Sequence, residues 1–94
     1  MNDENTLYTI KIQVVKASND YGHTVEVLVD GGSKGCYMSN CFSFELRGNN
    51  LMQVNCKIYY SNSKPYISNA VYIKPKENNS LILNLSNSLL KLSK

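Results

Sequence analysis

The stretch MQVNCKIYYSNSKPYISNAVYIK, residues 52–74, decides the fold, because it predicts two β-strands joined by a polar turn. Apolar and polar residues alternate in both strands, and this period of two indicates one buried face and one wet face. The predicted core-facing residues are Val54, Cys56, Ile58, Ile67, Val71 and Ile73. The turn ends in Pro65, which can begin an edge strand but cannot lie inside a central strand.

The opposite face of this hairpin is predicted to interleave tyrosines with lysines. Its members are Lys57, Tyr59, Tyr66, Tyr72 and Lys74. Aromatic rings stack nucleobases and lysines attract phosphates, so such a face is typical of proteins that bind single-stranded nucleic acid. The alternative is that each tyrosine is an amphipathic surface residue that only covers the sheet.

Alternating segments before the hairpin predict further strands at residues 7–16, 23–30 and 36–46. The first two are predicted to form a hairpin across a polar turn at residues 17–22. The third is predicted to point its apolar side chains inward and Tyr37 outward. The glycine-rich residues 30–35 lack the Gly-Lys-Ser/Thr ending of a P-loop, so they predict a turn rather than a phosphate cradle.

The composition predicts one soluble domain. The chain has 94 residues, of which 43% are hydrophobic, and it has no apolar run long enough to cross a bilayer. Residues 1–6 are polar and acidic, which predicts a disordered tail and no secretory signal. We therefore expect a cytoplasmic or nuclear location and no membrane partner.

Charge is unevenly distributed along the chain. Residues 1–46 carry three lysines against six acidic residues, whereas residues 47–94 carry seven basic residues against Glu77. A basic half suggests a polyanionic partner, and a solvated surface is the alternative. One arginine, nine lysines and many Asn, Ile and Tyr residues suit an AT-rich coding sequence, as found in viruses, phages and AT-rich microbes.

Catalysis is not predicted. His23 is the sole histidine in the sequence, and no nucleophile stands in a recognisable motif with it. Cys36, Cys41 and Cys56 lack the further ligands of a zinc site, so they are interpreted as structural thiols. We expect no enzyme activity, no cofactor and no metal.

Residues 76–94 are predicted to form a linker and an amphipathic segment. A stripe of leucines at helical spacing predicts a short helix, and its members are Leu81, Leu85, Leu89 and Leu92. Leu81, Leu83 and Leu85 fit a strand as well. The stripe has two interpretations, a helix that closes the core or a helix that binds another subunit or protein.

Together the segments predict an all-β fold, a five-stranded small barrel over residues 7–75 with a short C-terminal helix. Residues 7–30 resemble the first hairpin of an OB-fold. Residues 53–74 resemble the last hairpin of nucleic-acid-binding OB domains, where apolar-x-Cys-x-apolar is followed by a polar turn, a proline and an apolar-x-x-x-apolar-x-apolar strand. Residues 47–51 are too short for the helix that many OB domains place there, and the acidic, glycine-rich tail of bacterial single-strand-binding proteins is missing.

The resemblance implies binding of single-stranded nucleic acid, with DNA favoured. The implied binding residues are Tyr37, Lys57, Tyr59, Tyr66, Tyr72 and Lys74, with Lys11, Lys34, Arg47 and Lys64 at the rim. The alternative is a protein-interaction module, such as a small subunit of a larger complex or a viral inhibitor of a host complex. In that case the leucine stripe would bind a homo-oligomer partner or another protein.

Overall fold

The computed structural model describes residues 3–18, 22–61 and 63–93, and its regular structure is β. Within these ranges no α-helix occurs, and a 3₁₀ turn at Asp3–Asn5 precedes the first strand. The strands are β1 Leu7–Val15, β2 Thr24–Val29, β3 Gly32–Tyr37, β4 Cys41–Arg47, β5 Met52–Tyr59, β6 Tyr66–Ile67, β7 Val71–Ile73, β8 Ser80–Asn84 and β9 Leu89–Leu92. The all-β prediction is confirmed.

The strands form two sheets that share one hydrophobic core. Sheet A has the order β4-β1-β8-β9, and sheet B has the order β3-β2-β5 with β6 and β7 both paired to β5. The pairs are antiparallel except β1 with β8, which run parallel. Alternate residues of both sheets are buried in one cluster: Ile10, Ile12, Val14, Val25, Val27, Val29, Phe42, Phe44, Leu46, Val54, Cys56, Ile58, Ile73, Leu81, Leu83, Leu85 and Leu90. Burying these apolar faces against each other is the main stabilising term.

The five-stranded barrel predicted from the sequence is wrong, because the described strands form two sheets that do not close into a barrel and that pair differently. β1 pairs with β4 and β8, whereas β2 pairs with β3 and β5, so residues 7–30 do not form a hairpin. The predicted strand at residues 36–46 is two strands, β3 and β4, which lie in different sheets. Because the strands are divided between two sheets, the apolar faces of both sheets pack on each other in one shared interior.

The predicted C-terminal helix is also wrong, because β8 and β9 occupy that segment. Asn84, Ser86 and Asn87 are poor helix formers, and their side chains favour a turn instead. The Oδ1 atom of Asn84 accepts the Ser86 amide at 3.0 Å, and that of Asn87 accepts the Leu89 amide at 3.2 Å. Residues 80–84 therefore form β8, which lies next to β1 in sheet A. Pairing with β8 provides hydrogen-bond partners for backbone N–H and C=O groups on that edge of β1.

The leucine stripe is divided by this hairpin. Leu81 and Leu85 are buried in the core, whereas Leu89 is 50% exposed and Leu92 is 38% exposed. Half of the predicted partner-binding set is therefore structural, and the other half lies on the surface.

A one-residue bulge separates β6 from β7. Lys57 pairs with Ile67, whereas Val54 pairs with Val71, so residues 69–70 together oppose Asn55. Ser68 stabilises the bulge, since its hydroxyl accepts the Cys56 amide at 2.8 Å. Because the bulge shifts the pairing by one residue, the side chains of β6 point to the opposite face from the one that unbroken alternation with β7 predicts.

The ends of the chain and two turns are described in part. Arg47 donates from Nη1 to the Asn5 carbonyl at 3.0 Å, and the Gly48 amide donates to the Thr6 carbonyl at 2.8 Å. Residues 1–2 of the predicted tail, residues 19–21 of the predicted turn at 17–22, Asn62 and Lys94 lie outside the described residues.

Candidate nucleic-acid interface

The outward surface of sheet B carries the central part of the predicted site. Val54, Cys56 and Ile58 of β5 point into the core, so the alternate residues Lys57 and Tyr59 point outward. Tyr72 of β7 pairs with Gln53 of β5 and shares this surface. We call Lys57, Tyr59 and Tyr72 the tyrosine–lysine face.

Glu26 of β2 fixes one end of this face. The Tyr59 hydroxyl donates to Glu26 Oε1 at 2.8 Å, and Lys57 Nζ lies 5.5 Å from the centre of the Tyr59 ring. Lys57 is the cross-strand neighbour of Glu26. The Tyr59 ring is therefore held in one orientation by a hydrogen bond and a cation–π contact.

The same contacts shift two pKa values in opposite directions. Hydrogen bonds from Ser33 and then from Tyr59 lower the pKa of Glu26, and the charge of Lys57 adds to this effect. Donation to Glu26 raises the pKa of Tyr59, with partial burial as the second cause. At neutral pH the carboxylate is charged and the phenol is protonated, so the hydrogen bond is intact.

Tyr72 provides a second ring at the other end of β5. Its side chain is 59% exposed, and its hydroxyl donates to Gln53 Oε1 at 3.3 Å. Six positions of β5 separate Tyr59 from Gln53, which places the two rings about 20 Å apart at the rise of an extended strand. The face therefore offers two separate stacking positions rather than one aromatic cluster.

Charge on this side of the molecule is balanced. Lys57 and the exposed Lys74 are matched by Glu26 and Asp30. The Asp30 carboxylate already has one hydrogen-bond partner, because its Oδ1 accepts a hydrogen bond from the backbone N–H of Gln53 at 3.0 Å. Attraction of a polyanion is weak here, so ring stacking has to supply most of any binding energy.

Tyr37 is not on the tyrosine–lysine face, contrary to the prediction. It pairs with Val25, whose side chain is in the core, and its ring stacks on Phe42 of sheet A at 4.1 Å with an interplanar angle of 2°. The Tyr37 hydroxyl donates to the Lys34 carbonyl at 3.0 Å. Because β3 and β4 belong to different sheets, Tyr37 closes the gap between them.

Tyr66 also lies on the other side of sheet B, because of the bulge. It pairs with Ile58, a core residue, and its ring meets Tyr60 edge to face at 5.7 Å. Ile67, rather than Tyr66, is the cross-strand neighbour of Lys57, and its side chain is 63% exposed. Regular alternation hid this reversal, and the polar Ser68 and Asn69 were the sole sequence signal for it.

The four rim residues are spread around the molecule. Lys11 and Arg47 lie on the outer surface of sheet A, away from the tyrosine–lysine face. Lys34 lies in the irregular part of β3, and Lys64 lies in the connection to β6; both are exposed. The structure therefore brings Lys57, Tyr59 and Tyr72 onto one surface, with Lys74 directly after β7.

The described residues offer no other obvious chemical centre. Among residues 3–18, 22–61 and 63–93, no group of three His, Cys, Asp or Glu side chains could hold a metal ion. Cys36 and Cys41 are exposed free thiols, and Cys56 is a buried one. Over the same described ranges, no helix has the length and apolar character needed to cross a membrane.

Comparison with known proteins gives no relatives for this chain. No protein-family model, no curated protein and no solved structure matches it. The resemblance to OB domains therefore stays a prediction, and the residues described above carry the functional argument.

Proposed function

We propose that this chain is a single-stranded nucleic-acid-binding domain, with DNA as the favoured ligand, and that it binds along the tyrosine–lysine face. One observation supports this proposal: Lys57, Tyr59 and Tyr72 lie on the same outward surface of sheet B. The ring of Tyr59 is held in place by Glu26, so little conformational entropy is lost when a base stacks on it.

The binding mode follows from the spacing of the rings. A strand of nucleic acid lies along β5, with one base on Tyr59 and another on Tyr72, about 20 Å away. Each stacked base contributes about 1–3 kcal/mol and requires no particular sequence. Lys57 and Lys74 contact phosphates, so the log–log salt slope for a single strand is small, about −1.4 for two contacts.

The test is an anisotropy titration with labelled oligo-dT and oligo-rU at low salt. Tyr59→Ala and Tyr72→Ala should each weaken binding by about 1–3 kcal/mol, because each removes one stacking ring. Tyr72→Phe is a matched control that keeps the ring and loses only the hydroxyl, so it should bind almost as the wild type does. Tyr59→Phe keeps the ring but loses the hydrogen bond to Glu26 that orients it, so it should bind more weakly than the wild type and more tightly than Tyr59→Ala.

A second control separates this face from the rest of the surface. Lys57→Ala should reduce the salt slope by about 0.7, whereas Lys11→Ala, on the outer surface of sheet A, should leave it unchanged. Absence of oligonucleotide binding by the wild-type protein at low salt would refute the proposal.

Protein interaction is the second candidate function, favoured by an apolar patch on sheet A. Val15 is 42% exposed and Leu89 is 50% exposed, and with Ile82 they border a groove of about 270 Å³. Exposed apolar residues that cluster rather than scatter are typical of association sites. A second copy of this chain is the occupant to test first.

The molar mass measured by light scattering tests whether the apolar patch on sheet A joins two copies of the chain. If the patch joins two copies, the wild-type protein should show a mass above that of one chain, and Leu89→Asp should return it to a single chain. A wild-type mass equal to one chain at high concentration would contradict self-association through β9.

A further inference from the structure

A pocket lies beyond the end of β5, next to the tyrosine–lysine face. Its volume is about 340 Å³, and the residues that line it include His23, Thr24, Met38, Tyr59, Tyr60 and Ser61. This volume is near the lower end of the range for small-molecule sites, about 300–1,000 Å³. Tyr59 is shared, so the pocket continues directly from the predicted nucleic-acid surface.

Two walls of the pocket are rigid. Tyr59 is held by its 2.8 Å hydrogen bond to Glu26. Tyr60 packs against the hydrophobic core, and its ring meets that of Tyr66 at 5.7 Å with an interplanar angle of 65°. Rings that are already fixed lose little freedom when a ligand stacks on them.

The chemistry of the lining favours a neutral, planar ligand. Tyr59, Tyr60 and Met38 are lining residues with apolar, polarisable side chains. The hydroxyls of Thr24 and Ser61 can donate or accept hydrogen bonds at the edge of a flat ring. Among the described lining residues there is no Lys, Arg, Asp or Glu, and the charged side chains of Lys57 and Glu26 contact Tyr59 from outside the lining.

We propose that this pocket binds one nucleobase of the single strand that lies on the tyrosine–lysine face. The inference rests on the proposed function and deepens it, because it assigns a base-sized site at the Tyr59 end of β5. The strand runs along β5, passes Lys57 and turns one unstacked base over the end of the sheet. Stacking in such a site tolerates every base, while the hydroxyls of Thr24 and Ser61 favour some base edges over others.

Met38 makes the pocket directly observable. Its side chain is 76% exposed, so the methyl group should give a sharp NMR signal in the wild-type protein. A base that enters the pocket should shift this signal through its ring current. The probes are oligo-dT, thymidine and deoxyadenosine, each titrated against the wild-type protein.

A blocking variant provides the second readout. Ser61→Tyr adds a large ring at an exposed lining residue and should lower the affinity for oligo-dT about tenfold, which corresponds to one lost base stack. Ser63→Tyr adds the same ring at another exposed position in the same turn, outside the described lining, and should bind as wild type does. Circular dichroism of both variants establishes that they are folded.

The outcomes separate the pocket from the face. A Met38 shift with both oligo-dT and nucleosides, together with weak binding by Ser61→Tyr, supports the pocket. Normal binding by Ser61→Tyr and an unmoved Met38 signal, with Tyr59→Ala still impaired, would overturn the pocket and leave the proposed function standing. A Met38 shift with nucleosides and no binding of oligo-dT would refute the proposed function and, with it, the assignment of the pocket to a base of a bound strand. If neither probe binds, both proposals fail.

Discussion

Asn69 joins the two sheets with its side chain. Its amide nitrogen donates to the Leu90 carbonyl at 2.9 Å, and its Oδ1 accepts the Leu90 amide at 2.7 Å. A side-chain amide presents the same donor and acceptor as a peptide group, so Asn69 pairs with β9 much as a neighbouring strand would. The bulge in sheet B is what turns Asn69 toward this edge of sheet A.

Replacing Asn69 should destabilise the protein more than replacing other exposed asparagines. We expect Asn69→Ala to lower the free energy of unfolding by about 1–2 kcal/mol, since two hydrogen bonds are lost. Asn50→Ala, in an exposed turn, is the control and should change it by less than about 0.5 kcal/mol. Urea denaturation measures both, and equal values for the two variants would argue against a stabilising role for Asn69.

Cys56 should make the protein sensitive to alkaline pH. Burial raises the pKa of this thiol from about 9 to about 12 in the folded chain. The unfolded chain loses the proton first as the pH rises, so stability is fully present below about 9 and falls between about 9 and about 12. The loss from this group approaches ~1.4 kcal/mol per pH unit within that window.

Urea denaturation at several pH values checks this expectation. Cys56→Ala removes the thiol and should give a flatter decline above pH 9 than the wild type, even though its stability at neutral pH is lower because of the small cavity. Cys36→Ala is the matched control, because its thiol is exposed. Parallel curves for wild type and Cys56→Ala would contradict the role of the buried thiol.

At the scale of strands, the sequence predicted which residues alternate but not which strands meet. β1, β2 and β5 are where periodicity placed them, since alternation is a local property. Pairing is a long-range property, and nothing local distinguishes a β1–β2 hairpin from the observed pairing of β1 with β4 and β8. The prediction of a helix at residues 80–94 was wrong, because the leucines of this segment fit the 3.6-residue period of a helix as well as the two-residue period of a strand.

The candidate site was predicted only in part, because alternation is a local property and does not reveal bulges or strand pairing. Lys57, Tyr59 and Tyr72 lie on the outward surface that alternation predicts for them, because β5 and β7 keep a regular register across Gln53. Tyr66 was misplaced by the bulge at residues 69–70, and Tyr37 by the division of its predicted strand into β3 and β4. The pocket beyond β5 could not be predicted, because it combines His23, Met38 and Tyr60 from distant parts of the chain.

The C-terminal hairpin should be essential for folding. Leu81, Leu83 and Leu90 are core residues, and β8 is an inner strand of sheet A. Deleting residues 80–94 exposes one whole edge of β1 and removes these side chains, at a cost of about 2–5 kcal/mol for each large one. We expect circular dichroism of the truncated chain to show loss of the β signal.

A shorter deletion is the control for this experiment. Removing residues 1–4 leaves every strand intact, so that variant should keep the wild-type spectrum. If the chain without residues 80–94 stayed folded, β8 and β9 would be an appendage rather than part of the core.

The molecule as a whole is elongated. Its extents are 47 × 25 × 20 Å, and its Cα radius of gyration is 13.3 Å, compared with about 12 Å for a compact chain of this length. A single copy should therefore give a maximum dimension near 47 Å by small-angle X-ray scattering, slightly enlarged by hydration. Two copies paired through the β9 edge would lie side by side, so a maximum dimension much larger than that of one copy would indicate self-association.

The parallel pair of β1 with β8 has a consequence for how the protein forms during synthesis. Ile12 and Leu81 are paired although they stand 69 positions apart, whereas the strands of sheet B lie within residues 24–73. Contacts between distant residues require costly loop closure, which slows folding. On the ribosome, sheet B can assemble while one edge of β1 is still open, and an open edge is where chains aggregate. The nascent protein therefore depends on β8 to close that edge.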